Sequence, residues 1–312
     1  MSGSDPRVAV IGSVNFDVAV RSERFPDAGE TLSGVGSSLS AGGKGANQAV
    51  QAALLGAHVT FVARVGDDAF AAASLSSLAE AGVDTTHVAA EAGMPTGIAV
   101  IWLDLDGENR IVVAPNANAR LSAADVDAAA DAIGRSAAVV IQFEVPDEVI
   151  VRAAEVAAER GVPLILNPSP ARAIPEPVLD RAAWLVVNRG EAEAISGISC
   201  DLDGLAGAAG AIRGQGPRGV VITLGEVGAF VDDGTDTVLV SAVPVDPVVD
   251  TTAAGDAFVA AFAVALAGGA DPASCAAFGA AAGAVAVSRA GAQSSLGDRA
   301  EVERTLQLRS SA

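Results

Sequence analysis

Ala138–Asn167 reads AVVIQFEVPDEVIVRAAEVAAERGVPLILN, and its ends follow a different rule from its middle. Ala138–Gln142 and Pro163–Asn167 are short, mainly apolar runs, the first rich in β-branched residues, as expected of strands covered on both faces. Between them, Pro146–Arg160 is longer and alanine-rich, a helical candidate. The same alternation runs outward in both directions. Strands are expected at Arg7–Ser13, Val59–Ala63, Trp184–Val187 and Gly219–Thr223. Helices are expected at Gly45–Leu55, Asp68–Ala81, Ala123–Ile133 and Leu202–Arg213. Such a pattern predicts an α/β fold, with a central, mostly parallel sheet and helices on both faces.

Two regions break the rhythm. Thr31–Ser40 is polar and extended, and Thr96–Asp104 and Glu108–Ala114 flank the turn LDLDGEN. The second pair predicts a β-hairpin turning at Asp106-Gly107. Strands drawn from about 17–40 and 96–115 would then form a small sheet protruding from the main body, suited to a lid or a dimer surface. No repeat, low-complexity linker or charge block divides the chain, so residues 1–312 are expected to form a single domain.

The 312 residues are 51% hydrophobic and 18% charged, ample for a large core and incompatible with wholesale disorder. A formal net charge of −19 disfavours nucleic acid as a partner, because such a surface repels phosphate backbones. Cys200 and Cys275 form no CxxC pair, and His58 and His87 have no metal-ligand spacing. The first residues lack a signal peptide's basic start, and the apolar run Ala257–Ala267 is too short to span a bilayer. A cytoplasmic protein with no membrane partner is the expectation.

Three segments carry residues suited to chemistry. In AVIGSVNFDVAV, Asn15 and Asp17 follow the first strand at alternate positions, so an extended chain points both to one side. Ligands bind open α/β sheets at that strand edge, and an amide beside a carboxylate can grip a polyol; an Asx turn is the plainer alternative. Ser40–Ala49, SAGGKGANQA, lacks Walker A spacing, yet its glycines, Lys44 and Asn47 open a helix whose free N–H groups can hold hydroxyls or an anion. In DTTAAGDAF, small residues lead into a helix with Asp256 in its first turn. Exposed N–H groups there suit a transferring phosphoryl group, and Asp256 can accept a proton. A dipole-compensating helix start is the alternative for Asp256.

In order and spacing, GSVNFD, AGGKGANQA and DTTAAGDAF resemble the signatures of the ribokinase (PfkB-type) sugar kinase family. The likeness continues through GDDAF, GENRIVV, QFEVP, LNPSPAR, NRGEAE, ITLGEVG and SRAGAQSS, nearly the whole chain. It implies a ribokinase-like fold and ATP-dependent phosphorylation of D-ribose at O5, or of another sugar or nucleoside within the family (deoxyribose, a ketose or adenosine), with a non-catalytic sugar-binding regulator as the alternative outside catalysis. It further implies that Asn15, Asp17, Gly43, Lys44, Asn47 and Glu144 hold the sugar while Asp256 is the base. Ala253, Ala254 and Gly255 would supply the anion hole, and Asn188, Thr223, Leu224, Gly225 and Gly228 would border the nucleotide. Glu191 would position Mg²⁺ through water. A K⁺ site would use Asp250, Thr252, Ala286, Arg289, Gly291 and Ser295, and the lid would pair two subunits as a homodimer. Two positions depart from the family pattern. Asn116 stands where relatives often carry glycine, and Ala280 where many carry a polar residue near the adenine.

Overall fold

The computed structural model describes residues 5–105 and 109–309. In chain order the strands begin with β1 (Arg7–Ile11), β2 (Asn15–Arg21), β3 (Gly36–Gly42), β4 (His58–Val65), β5 (Asp84–Ala90), β6 (Gly97–Leu103) and β7 (Asn109–Ala114). They continue with β8 (Ala138–Gln142), β9 (Leu164–Asn167), β10 (Ala182–Asn188), β11 (Gly219–Thr223), β12 (Gly228–Asp232) and β13 (Thr237–Ser241). The described residues build a nine-stranded sheet in the order β13-β12-β11-β10-β9-β8-β1-β4-β5. Its pairs from β11 through β5 are parallel, and β12 and β13 add an antiparallel edge.

Burial explains the strand compositions. On β1, Val8 and Val10 enter the core on one face while Ala9 and Ile11 enter that on the other, and all four are fully buried. An apolar residue at every position is what a sheet covered on both faces requires. One face packs against the helices Lys44–Leu54, Ala254–Ala267 and Pro272–Val287, the other against Asp147–Arg160 and Leu205–Arg213. Trp184 sits in the first core, edge-on to Phe262 at 5.2 Å. None of the described helices is long and apolar enough to cross a membrane.

Ala123–Ile133 does not run as one helix. It divides into Ala123–Ala128 and Ala130–Gly134, and the Ala129 N–H reaches back to both Asp125 and Val126 carbonyls. β5, β12 and β13 have no counterpart among the expected strands. β5 and β13 are the sheet's edge strands: no residue of β5 is buried, and of β13 only Val240, so neither is covered on both faces, and the short run Val238–Val240 is the strongest apolar signal between them.

The second sheet has the order β3-β2-β6-β7. β6 and β7 form the expected hairpin, in register from Ile98↔Ala114 to Leu103↔Asn109. Its expected turn, Asp106-Gly107, lies outside the described residues. β2 pairs antiparallel with β3 but parallel with β6, so this sheet is mixed. Trp102 packs within it, donating to Ser22 Oγ at 2.6 Å and meeting Phe25 edge-on. Asn116, just beyond β7, has φ +44°, a left-handed conformation that glycine adopts freely and asparagine tolerates. Its Nδ2 donates to the Thr96 carbonyl at 2.9 Å, anchoring the chain where the small sheet rejoins the body.

Candidate active site

The chain leaves β1 at Ile11, turns through Gly12 and Ser13, and starts β2 at Asn15, which sends the small sheet out from the C-terminal edge of the large one. Gly43, at the start of the Lys44–Leu54 helix, is pressed against this turn. Its φ is +91°, and a Cβ there would lie 2.6 Å from the Asn15 nitrogen, so the position requires glycine. That close approach brings the helix's first turn beside Asn15 and Asp17.

Glu144, just past β8, ties the turn together. Its Oε2 accepts from Ser13 Oγ at 2.5 Å, the Lys44 backbone N–H at 3.1 Å and Asn15 Nδ2 at 3.4 Å. Asn118 holds the other side: it donates to Asn15 Oδ1 at 2.8 Å and exchanges hydrogen bonds with both backbone groups of Val14. Asp256, in the first turn of the Ala254–Ala267 helix, accepts from Asn47 Nδ2 at 2.9 Å and from Gln48 Nε2 at 3.0 Å. Asn47 Oδ1 is buried with no partner, an acceptor ready for a hydroxyl donor.

The charges here are interdependent. Burial, then the nearby Glu144 and Asp256 carboxylates, push the Asp17 carboxyl up to about 6. Burial alone would depress the Lys44 ammonium, but Asp256, Glu144 and Glu191 outweigh it and hold the group above its ordinary value. One half-buried cation thus stands among three carboxylates, with Asp17 close to two of them.

On the far side of Asp256, Ala253 caps its helix at φ +59°, a left-handed conformation costing a non-glycine residue roughly 1–2 kcal/mol. Among the described residues, the N–H groups of Ala253, Gly255 and Asp256 have no acceptor, whereas that of Ala254 donates to the Thr251 carbonyl. A cleft of about 690 Å³ begins at Gly255 and runs between Thr223, Gly228, Val243, Phe258 and Ala280. Its walls are largely apolar, and Ala280 leaves it smooth where a polar side chain would project. The site therefore offers a polar pocket and an apolar cleft meeting at one carboxylate, with unpaired N–H groups alongside.

A profile of the pfkB family carbohydrate kinases matches residues 5–299. The chain belongs to that family. This sugar kinase is 38% identical to a ribokinase of Bacillus subtilis over 299 residues, covering 96% of this chain and 99% of that one. It is 35% identical to a deoxyribokinase of Salmonella typhimurium over 258 residues, covering 82% and 84%. Among solved structures, Arabidopsis thaliana ribokinase complexed with ribose and ATP superposes at a TM-score of 0.91, with 34% identity and coverage of 97% and 99%.

The remaining expected residues are less uniform. Thr223, Gly225 and Gly228 line the cleft of the kinase, but the Leu224 side chain is buried in the core beneath it. Asn188 and Glu191 cap one another at the start of the Arg189–Ser196 helix, through Asn188 Oδ1 and Glu191 Oε2. Asp250 joins two loops, accepting from Thr252 N and Oγ1 through Oδ1 and from Gly291 N through Oδ2. Burial would raise the Asp250 carboxyl, but these bonds and Arg21 hold it below its ordinary value. Ser295 turns its hydroxyl to the Ala292 carbonyl, and the Arg289 side chain pairs with Glu301. Ser13, Asn118 and Gln48 are the residues that sequence reading missed. Ser13 lies inside GSVNFD and Gln48 inside the glycine-rich segment, where neighbours of more obvious chemistry draw the reading, and Asn118 has no signature of its own although it bonds Asn15.

Proposed function

We propose that the chain transfers the γ-phosphoryl group of ATP to the O5 hydroxyl of D-ribose, giving ribose 5-phosphate and ADP. The observation that carries this is the position of Asp256, hydrogen-bonded to Asn47 on the polar side and next to the unpaired N–H groups at the head of the apolar cleft. Asn15, Asp17, Gly43, Lys44, Asn47 and Glu144 hold the sugar hydroxyls, with the orphaned Asn47 Oδ1 accepting one of them. Asp256 takes the proton from O5 as the oxygen attacks. The N–H groups of Ala253 and Gly255 face the charge developing on the γ-phosphoryl oxygens, and adenine is gripped by shape in the cleft. Positioning and charge stabilisation account for most of such a reaction, so little covalent work falls to the protein.

Mg²⁺ enters with ATP. Among the described residues no cluster of three or more His, Cys, Asp or Glu could hold a metal ion, which fits an ion carried mainly on phosphates. Glu191 keeps one carboxylate oxygen outside its capping bond and reaches that ion through water, beside Asn188. The oxygen-only donor set around Asp250, Thr252 and the carbonyls of the 286–295 loop suits K⁺. A K⁺ ion held there would brace the Thr251–Gly255 turn without touching substrate. Replacing K⁺ by Na⁺ or choline at constant ionic strength should lower turnover severalfold, and equal rates in all three salts would remove the site.

The small sheet closes over the sugar on one face and pairs with a second copy through the other. Leu39, Val18, Val100 and Val112 are in register across it, on the face opposite Asp17. Val112 is 71% exposed and Leu39 62%, an apolar row that a partner's equivalent row would cover. Val112→Glu should convert a dimer to a monomer in sedimentation velocity; an unchanged assembly would exclude this face.

The substrate reading is tested by ADP release with ribose, 2-deoxyribose, fructose and adenosine. Ribose should give the highest kcat/KM. The likeness to a deoxyribokinase makes 2-deoxyribose the second reading, and a higher kcat/KM for it would replace the first.

A further inference from the structure

Behind Asp256 lies a chain of buried amides that the mechanism above does not use. Gln48 and Gln142 are fully buried, and Asn167 is 8% exposed. Asn167, at the end of β9, donates through Nδ2 to the Val186 carbonyl at 2.9 Å. A backbone carbonyl only accepts, so the Asn167 amide cannot be reversed without losing that bond. Its Oδ1 must therefore face Gln48, where it accepts from Nε2 at 3.2 Å. The same Nε2 donates its second hydrogen to Asp256 Oδ1. Gln48 Oε1 is then turned away from the carboxylate and accepts from Gln142 Nε2.

The polarity of the whole chain is thus set by one backbone carbonyl on β10 and ends on the carboxylate. Gly12 makes room for it: a Cβ there would fall 2.1 Å from Gln142 Oε1. We propose that Gln48 is a positioning residue, oriented by Asn167 and Gln142, that fixes the Asp256 carboxylate in the acceptor state and orientation a general base needs. Asn47 and Gln48 are adjacent on one helical turn and hold one carboxylate oxygen each, so the carboxyl plane is defined from a single element. Among the described residues, the other charges acting together with Asp256 are Lys44, from the helix that carries Asn47 and Gln48, and Asp17 from β2, with Glu144 and Glu191 acting on that lysine, and Gln48 replacement alters none of them.

This inference rests on Asp256 being the base, and the experiment separates the two. Gln48→Met keeps side-chain length and burial while removing the donor. At neutral pH its kcat should fall about tenfold, and the acidic limb of its kcat–pH profile should move up by about one pH unit. KM for ribose and for ATP should stay within about twofold. Gln142→Met, which leaves every contact to Asp256 in place, should move the same limb in the same direction by less, and it carries the test if Gln48→Met does not fold. Asp256→Asn is the control. If that control turns over normally, the base assignment fails. If it is inactive while both methionine variants keep the wild-type pH profile, the positioning role alone is overturned, and the amide chain is structural.

Discussion

Asp256→Asn lowers kcat by about 10²–10⁴-fold, the usual contribution of a positioned general base, while ribose and ATP still bind. Substrate grip survives because Asn15, Asp17, Lys44 and Glu144 lie on other segments of the pocket. Loss of one negative charge near the phosphate path leaves ATP affinity equal or slightly higher. A second effect comes from the amides: asparagine has a single side-chain oxygen, so Asn47 Nδ2 or Gln48 Nε2 meets an NH₂ group instead of an acceptor. Leaving one buried donor unpaired costs ~1–3 kcal/mol, visible as a lower thermal midpoint. A dipole-compensating aspartate at a helix start predicts otherwise: a fraction of a kcal/mol in stability and nearly normal turnover. Measuring kcat and Tm on one protein distinguishes them, and a folded variant with near-native turnover would end the base assignment.

Asp17→Ala raises the ribose KM tenfold or more and leaves the ATP KM nearly unchanged. A pocket built to pair sugar hydroxyls leaves them unmatched when an acceptor is removed, worth ~1–3 kcal/mol. The same substitution should raise Tm at pH 7.5. In the unliganded protein Asp17 is held at about 6, so above that pH its ionised form opposes folding by ~3 kcal/mol relative to an ordinary aspartate. The native state binds the extra proton between the ordinary aspartate value and about 6, so this contribution to stability grows as pH falls through that window. Sugar affinity moves the opposite way. Hydroxyl donors favour the ionised carboxylate, so binding releases a proton at acidic pH, and ribose affinity should weaken by about fivefold between pH 6 and pH 5. Calorimetric titration at pH 5.0, 6.0 and 7.5 reads this directly. A pH-independent affinity in the wild type would place the carboxylate outside the sugar contacts.

Stability and function oppose each other at Asp17, and the opposition has a clear cause. Its carboxyl is buried beside Glu144 and Asp256, which raise it, a repulsion that the hydroxyl donors of a bound sugar would relieve on the function proposed above. Lys44, held above its ordinary value by Asp256, Glu144 and Glu191, brings one positive charge to the neighbouring carboxylates. A site tuned for its ligand at the expense of the free fold is common where buried polar groups await a partner.

Much of the fold is written locally. Runs such as Ala138–Ile141 and Val220–Ile222 are apolar at every position, which distinguishes doubly covered strands, and the strands Ala138–Gln142 and Gly219–Thr223 have their expected ends. Helix starts at Lys44 and Ala69 fall within a residue of expectation because glycine and the Asp68 cap mark them chemically. The residue types needed for sugar, phosphoryl group and base are also legible, since Asn15, Asp17, Lys44 and Asp256 stand in segments of distinctive composition. Edge strands escape this reading because their burial depends on which neighbour covers them.

Only the tertiary structure decides which polar groups meet. Sheet order puts the Lys44–Leu54 helix against the Ala254–Ala267 helix, and so joins Asn47 and Gln48 to an aspartate more than two hundred positions away. It likewise turns Leu224 into the core while its neighbours Thr223 and Gly225 line the cleft, and binds Asn188 and Glu191 into a mutual cap. The reason is physical. Periodicity and turn chemistry record how each segment meets water and its own backbone, at a range of a few residues. A hydrogen bond or a raised carboxyl depends on distances of a few ångströms between segments whose separation along the chain carries no such information.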